Sequence, residues 1–361
     1  MKIMHIVGAR PNFPKVAPIM AEMAKRPDRF HQVLVHTGQH YDYNMSQVFF
    51  EHLDMPAPDE YLNVGSGSHA AQTAMVMTAF EPVVLNHRPN WVLVAGDVNS
   101  TLACALVCAK LHVPVAHVEA GLRSRDRTMP EEINRVVTDQ IADLLFTPSK
   151  DGTENLIREG IGPNSIHHVG NVMIDTLVKM LPKALQRSTL DDLGLEQRKY
   201  VLVTLHRPSN TDDANVLRGI IEAMAEISRT MPVVFPVHPR TCSRIRDLNM
   251  ELPNTTLRLI EPLGYLDFLT MMNSAALVVT DSGGVQEETT FLGVPCLTAR
   301  PNTERPITIS EGTNQLVDSR YEDLVEAFNE SLDQEHFTPR RRPELWDGQA
   351  ARRITDVMRD L

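Results

Sequence analysis

The sequence predicts an α/β protein built as two doubly wound parallel-sheet domains facing a central cleft. Three observations lead there. Short runs rich in Val, Ile and Leu recur from end to end of the 361 residues. These runs are apolar at odd and even positions alike, so both faces of each strand are covered. The segments between them are long enough to carry a helix, as a parallel crossover requires.

The first half places strands at KIMHIVG from Lys2, QVLVHTG from Gln32, WVLVAGD from Trp91, VPVAHVEAG from Val113 and LLFTPS from Leu144. The second half places them at YVLVTLH from Tyr200, PVVFPVHP from Pro232, TLRLIEPL from Thr256, ALVVTDSGG from Ala276 and VPCLTAR from Val294. The domains are expected at 1–175 and 176–340, with the polar stretch Gln186–Lys199 following the change of series. The remainder, 341–361, is too short for a domain. Its amphipathic part, Gln349–Leu361, is expected to form a helix crossing back to the first domain.

Composition removes several classes of function. A net charge of −11 argues against a nucleic-acid surface, which is normally basic. No apolar run is long enough to span a membrane. The opening MKIMHIVGARPNF reads as a buried strand and not as a signal peptide, so a cytoplasmic location is expected. Four scattered cysteines suit a reducing compartment, and Cys104 and Cys108 read as small buried hydrophobes. The dispersed histidines, with no His-Glu-x-x-His and no Cys-x-x-Cys, predict no metal site.

Ligands of open parallel sheets collect where strands end at their carboxyl termini. Those positions are polar here: Gly8-Ala9-Arg10-Pro11-Asn12, Thr37-Gly38-Gln39-His40, Gly96-Asp97, Glu119-Ala120-Gly121-Leu122-Arg123, His206-Arg207, His238-Pro239-Arg240 and Asp281-Ser282-Gly283-Gly284. Helix capping accounts for Ser100, Thr101 and Asp281, but not for the repeated Arg and His. Ser282-Gly283-Gly284 closes a strand and opens a helix, so its N–H groups suit a phosphate, with a plain tight turn as the bland alternative. Arg10, Lys15 and Arg305 are candidate partners for that anion. Asp-Ser-Gly-Gly also resembles the string around the nucleophile of trypsin-like proteases, but those are disulfide-bonded antiparallel barrels.

Taken together, these segments resemble the non-hydrolysing UDP-N-acetylglucosamine 2-epimerases over nearly the whole chain. The resemblance is carried by Gly8-Ala9-Arg10-Pro11 with Lys15, Gly96-Asp97, His117-Val118-Glu119-Ala120-Gly121-Leu122-Arg123, Met129-Pro130-Glu131-Glu132-Ile133-Asn134-Arg135, Val169-Gly170-Asn171, Leu205-His206-Arg207, Thr280–Glu288 and Thr303-Glu304-Arg305-Pro306. It implies paired Rossmann-like domains of the glycosyltransferase-B type and inversion at C2 of a UDP-sugar by elimination of UDP and re-addition. By the same resemblance Asp97, Glu119 and Glu131 serve as acid/base groups and His206 sits near the β-phosphate. Arg10, Lys15, Ser282, Gly283, Gly284 and Arg305 hold the diphosphate, and Glu288 meets the ribose. Phe268 lies against uracil, whose edge the backbone of Leu263 reads. A bare helix reading makes Phe268 a core residue and Glu131 a partner of the helix dipole.

The resemblance further implies a homodimer and no cofactor, since nothing is oxidised along the elimination route. Ala9 and Asn12-Phe13-Pro14 depart from many bacterial members, which opens the sugar to related UDP-2-acetamido species such as UDP-2,3-diacetamido-glucuronic acid. Ser68–Gln72, the segment where some members bind an activating second substrate molecule, also departs. A glycosyltransferase of the same fold and a nucleotide-sugar-binding regulator are the rival readings.

Overall fold

The computed structural model describes residues 1–38, 50, 53–248, 250, 255–331 and 342–361. Gln39 and His40 lie outside the described residues, as does the side chain of Arg10. The chain divides into two compact units, Met1–Leu177 with Glu344–Leu361, and Val178–Pro343.

Among the described residues the first unit holds a parallel sheet of β1 (Lys2–Val7), β2 (His31–His36), β3 (Glu60–Tyr61), β4 (Trp91–Ala95), β5 (Val115–Val118), β6 (Leu144–Thr147) and β7 (Ile166–His168). Its spatial order is β3-β2-β1-β4-β5-β6-β7. The second unit's parallel sheet contains β8 (Val201–Thr204), β9 (Val233–Pro236), β10 (Leu257–Ile260), β11 (Leu277–Thr280), β12 (Cys296–Ala299) and β13 (Asn314–Val317), in the order β10-β9-β8-β11-β12-β13. Both orders reverse beside the unit's first strand, at β1/β4 and β8/β11. Parallel doubly wound sheets part their loops at such points and leave a crevice there.

The central strands are legible because they are apolar on both faces; Val92, Leu93, Val94, Val278 and Val279 are completely buried. Three strands absent from the sequence reading, β3, β7 and β13, sit at sheet edges. An edge strand has one neighbour and needs no continuous apolar run, so EY, IHH and NQLV give no signal.

The last residues, Glu344–Leu361, belong to the first unit. Trp346 is buried and donates from Nε1 to the Pro148 carbonyl at 2.9 Å. Gly170 has φ +84°, and a Cβ there would stand 2.9 Å from the Cβ of Leu345, so only glycine allows this close passage. The helix Ala350–Arg359 begins on Asp175, whose carboxylate oxygens accept from the N–H groups of Ala350 at 3.1 Å and Ala351 at 2.7 Å. Arg26 adds a 2.9 Å bond to Asp356.

Burial pushes the Asp175 carboxyl up to about 6, against the two N–H donors that favour its charged form. An acid raised above its unfolded value of ~3.9 binds more protons when folded, so stability falls as pH rises from about 4 to about 6. The contribution is on the order of 2–3 kcal/mol. Asp175→Asn is expected to flatten this part of the stability–pH curve in urea titrations; an unaltered slope contradicts the assignment.

Candidate active site

In the first unit, Asp97 follows β4 and Glu119 follows β5, so adjacent strands deliver both carboxylates to the same sheet edge. Glu119 is buried and pairs with the equally buried ammonium of Lys15, from the helix Phe13–Met23. Its backbone is left-handed at φ 72°, a region a non-glycine residue occupies at a cost of about 1–3 kcal/mol. The N–H groups of Glu119 and Ala120 hold it there by donating to the Phe146 carbonyl at 3.1 and 3.0 Å. Gly96, at φ +69°, gives Lys15 its room: a Cβ there would lie 2.8 Å from Nζ.

The Asp97 carboxylate receives Arg135 at 3.0 Å from Nε and 2.9 Å from Nη2. Both donors converge on Oδ2, so the guanidinium fixes that oxygen as well as pairing its charge. Arg135 is buried and also binds Glu132, which accepts in turn from the N–H groups of Ser124 and Arg125, both at 2.9 Å. Arg135 and Glu132 both lie on the helix Pro130–Ile141. Glu131 stands half-buried in that helix's first turn, where the helix dipole favours a negative charge. Asn134 donates to the Asp97 carbonyl at 2.8 Å. These contacts put Asp97 and Glu119 in a common environment of buried cations, with Glu131 on the helix that supplies one of them.

Asn12 explains one local departure. Its Oδ1 accepts from the N–H groups of Gly8 at 3.1 Å and Ala9 at 3.0 Å, and its Nδ2 donates to Ala95 at 2.8 Å. The first strand turn is therefore satisfied by its own side chain and tied to β4. Thr101, read from sequence as a helix cap, instead donates to the Ala95 carbonyl at 3.0 Å.

In the second unit, Asp281 follows β11 and is completely buried. It does not cap its own helix, contrary to the sequence reading. It accepts from the N–H groups of His206 at 3.1 and 3.0 Å and of Arg207 at 2.9 Å, and from Asn210 at 3.0 Å. His206 Nδ1 lies 2.9 Å from its Oδ1. Burial alone would raise the Asp281 carboxyl, but the hydrogen bond and charge of His206 and the other donors hold it below the usual range. With Nδ1 committed to Asp281, Nε2 is the nitrogen by which the exposed His206 ring can address a ligand.

Ser282 caps the helix Gly283–Leu292 by position, while its N–H donates to Thr280 Oγ1 at 3.0 Å. Gly283 and Gly284 occupy the first helical positions, whose N–H groups have no intrahelical acceptor. Arg305 lies directly against Gly283: a Cβ there would come within 2.8 Å of Cζ and 2.7 Å of Glu304 Oε1. The guanidinium pairs with Glu304 and, at 2.9 Å, with Glu287. On the same helix Glu288 accepts from the Tyr265 hydroxyl at 2.8 Å. Burial pushes the Glu288 carboxyl up to about 7, helped by Glu287 and opposed by Tyr265. Phe268, half-buried and outside the core, lies one turn after Tyr265, and half-buried Leu263 precedes their helix.

The structure thus groups Lys15, Asp97 and Glu119 in one unit, and His206, Ser282, Gly283, Glu288 and Arg305 around β8/β11 in the other. Sequence reading passed over Arg135, Asp281 and Glu304 as actors in their own right. Arg135 carried one available signal, its i, i+3 spacing from Glu132, and Glu304 adjoins Arg305; Asp281 and His206 meet from distant parts of the sequence.

A family model described as UDP-N-acetylglucosamine 2-epimerase matches residues 21–359. A UDP-N-acetylglucosamine 2-epimerase of Methanocaldococcus jannaschii is 44% identical over 336 residues, 91% of each chain. A UDP-2,3-diacetamido-2,3-dideoxy-D-glucuronate 2-epimerase of Pseudomonas aeruginosa is 43% identical over 366 residues, covering 100% of both. The crystal structure of a Methanocaldococcus jannaschii UDP-GlcNAc 2-epimerase in complex with UDP-GlcNAc and UDP superposes with a TM-score of 0.90 at 41% identity, covering 99% of each chain.

The packing at Gly283 gives a direct test. Gly283→Ala must displace Arg305 and Glu304 together, and is expected to weaken UDP binding by about tenfold in calorimetry. Unchanged affinity excludes this helix start as the anion site.

Proposed function

From this chain's membership of the UDP-N-acetylglucosamine 2-epimerase family, we propose that it converts UDP-N-acetylglucosamine reversibly into UDP-N-acetylmannosamine through 2-acetamidoglucal. The chemistry imposes an order on the step. The hydrogen at C2 has no neighbouring carbonyl, so a carboxylate cannot remove it from the resting sugar. Departure of UDP from C1 builds oxocarbenium character that acidifies C2–H. The carboxylate takes the proton, the C1–C2 double bond forms, and the C1–O electron pair leaves with UDP. Delivery of a proton to the opposite face of C2 and return of UDP to C1 complete the inversion.

Two sets of groups are needed: acids and bases for the two faces of C2, and donors for the departing diphosphate. Asp97, Glu119 and Glu131 form the first set. Arg135 pairs with Asp97 and Lys15 with Glu119, which orients each carboxylate. The second set is the helix start Ser282, Gly283 and Gly284 with Arg305, and His206 donating from Nε2 as negative charge grows on the β-phosphate. Arg10 and Lys15 add positive charge. Glu288 takes the ribose hydroxyls, Phe268 the uracil face and Leu263 its edge. The observation that carries the reading is the delivery of two carboxylates, each held by a buried cation, by adjacent strands in a chain of this family.

The comparable identity of the Pseudomonas relative favours a second reading of the sugar, with an acetamido group at C3 and a carboxylate at C6. Among the described residues no helix is long and apolar enough to cross a membrane. The resemblance further supports a cytoplasmic homodimer; light scattering that gives the monomer mass refutes the dimer.

Proton NMR of the wild-type protein with UDP-N-acetylglucosamine alone is expected to show UDP-N-acetylmannosamine accumulating. Turnover of only the diacetamido-glucuronate substrate selects the second reading. Asp97→Asn is expected to reduce turnover at least ~100-fold with UDP affinity retained; near-normal turnover removes Asp97 from the acid/base set.

A further inference from the structure

We propose that His117 is a positioning residue for this reaction, a buried imidazolium that donates from both ring nitrogens and thereby fixes the Gly96 carbonyl and the aim of Asp97. The inference rests on the assignment of Asp97 as an acid/base group.

His117 lies on β5, two residues before Glu119, and is completely buried. Its Nε2 stands 2.8 Å from the Gly96 carbonyl oxygen and its Nδ1 2.7 Å from Asp139 Oδ1. A carbonyl only accepts, so Nε2 carries a hydrogen. Asp139 is likewise in its accepting form: its Oδ2 receives the Gly121 N–H at 3.1 Å and lies 2.7 Å from Arg123 Nη1. Burial works to raise that carboxyl, yet His117 and Arg123 hold it below the ordinary range. Nδ1 therefore donates as well, and a ring with two N–H groups is a cation. Asp139 is wholly inaccessible to water and has to share Arg123 with Glu159, so a second cationic donor at Oδ1 offsets its burial.

The Gly96 carbonyl belongs to the peptide that joins Gly96 to Asp97. Glycine at φ +69° has no side chain to restrain that peptide, and its rotation would swing Asp97. His117 supplies the restraint on one side; Asn134, on the Asp97 carbonyl, and Arg135, on the carboxylate, supply it on the other. The other charges at this peptide, Lys15 and Glu119, are paired with each other. Misplacing a reacting group by about 1 Å costs up to ~100-fold in rate, so a restraint of this kind acts on turnover and not on nucleotide affinity.

The test uses the intact protein labelled with 15N-histidine. Long-range 1H–15N spectra at pH 8, with the His117 signals identified by their loss in His117→Gln, are expected to show both ring nitrogens protonated. One bare nitrogen overturns the proposal. His117→Gln is expected to lower kcat by about 10- to 100-fold with the Kd for UDP within twofold of wild type; unchanged kcat, or parallel loss of UDP affinity, overturns it. Should that variant not fold, Asp139→Asn replaces it: the His117 ring is expected to become neutral in the same spectrum and kcat to fall while UDP binding persists, and the opposite results overturn the proposal. Wild-type protein that epimerises no UDP-sugar sinks the acid/base reading instead, because the spectrum judges the imidazolium independently of turnover.

Discussion

Two carboxylates held on buried cations organise the first unit. Asp97 rests on Arg135 and Glu119 on Lys15, at the ends of neighbouring strands. Burying ions is a poor route to stability, because the penalty for removing them from water offsets most of their attraction. Losing one partner of such a pair costs about 3–5 kcal/mol, whereas a well-packed apolar replacement of the whole pair is often neutral or better. The left-handed backbone of Glu119 adds a further cost. Both features act against stability; in the proposed reaction they serve proton transfer at a sugar carbon.

The second unit solves a different electrostatic problem. Arg305 is closely matched by Glu304 and Glu287, so its own pull on an incoming diphosphate is reduced. The positive end of the helix at Gly283 and Gly284 then carries more of the attraction, and those N–H groups need no rearrangement to meet an oxyanion. Asp281 uses the same economy on His206, fixing which nitrogen of an otherwise exposed ring is presented. In each unit the residues that touch substrate in our account are aimed by a deeper layer of oppositely charged partners.

Much of this was legible in the sequence. Central strands announced themselves by being apolar on both faces, and the acids that follow β4 and β5 stood out as polar residues at the one sheet edge where ligands gather. The edge strands β3, β7 and β13 were silent because half-exposed strands carry mixed residues. The supporting layer was silent for another reason. Asp281 with His206, and His117 with Asp139, join residues far apart in the chain, and no periodicity marks such a meeting. Thr101 and Asp281, read as helix caps, instead bond the end of β4 and the backbone that follows β8. Phe268, which a bare helix reading puts in the core and the family resemblance puts against uracil, lies half-buried.

Inversion by elimination requires a carboxylate to exchange the C2 hydrogen while UDP is detached. Incubation of the sugar nucleotide in heavy water, followed by mass and NMR analysis of both epimers, tests that most directly. Deuterium at C2 of the inverted sugar, and of the starting sugar as equilibrium is approached, is the predicted result. Inversion at C2 with the original hydrogen retained contradicts it.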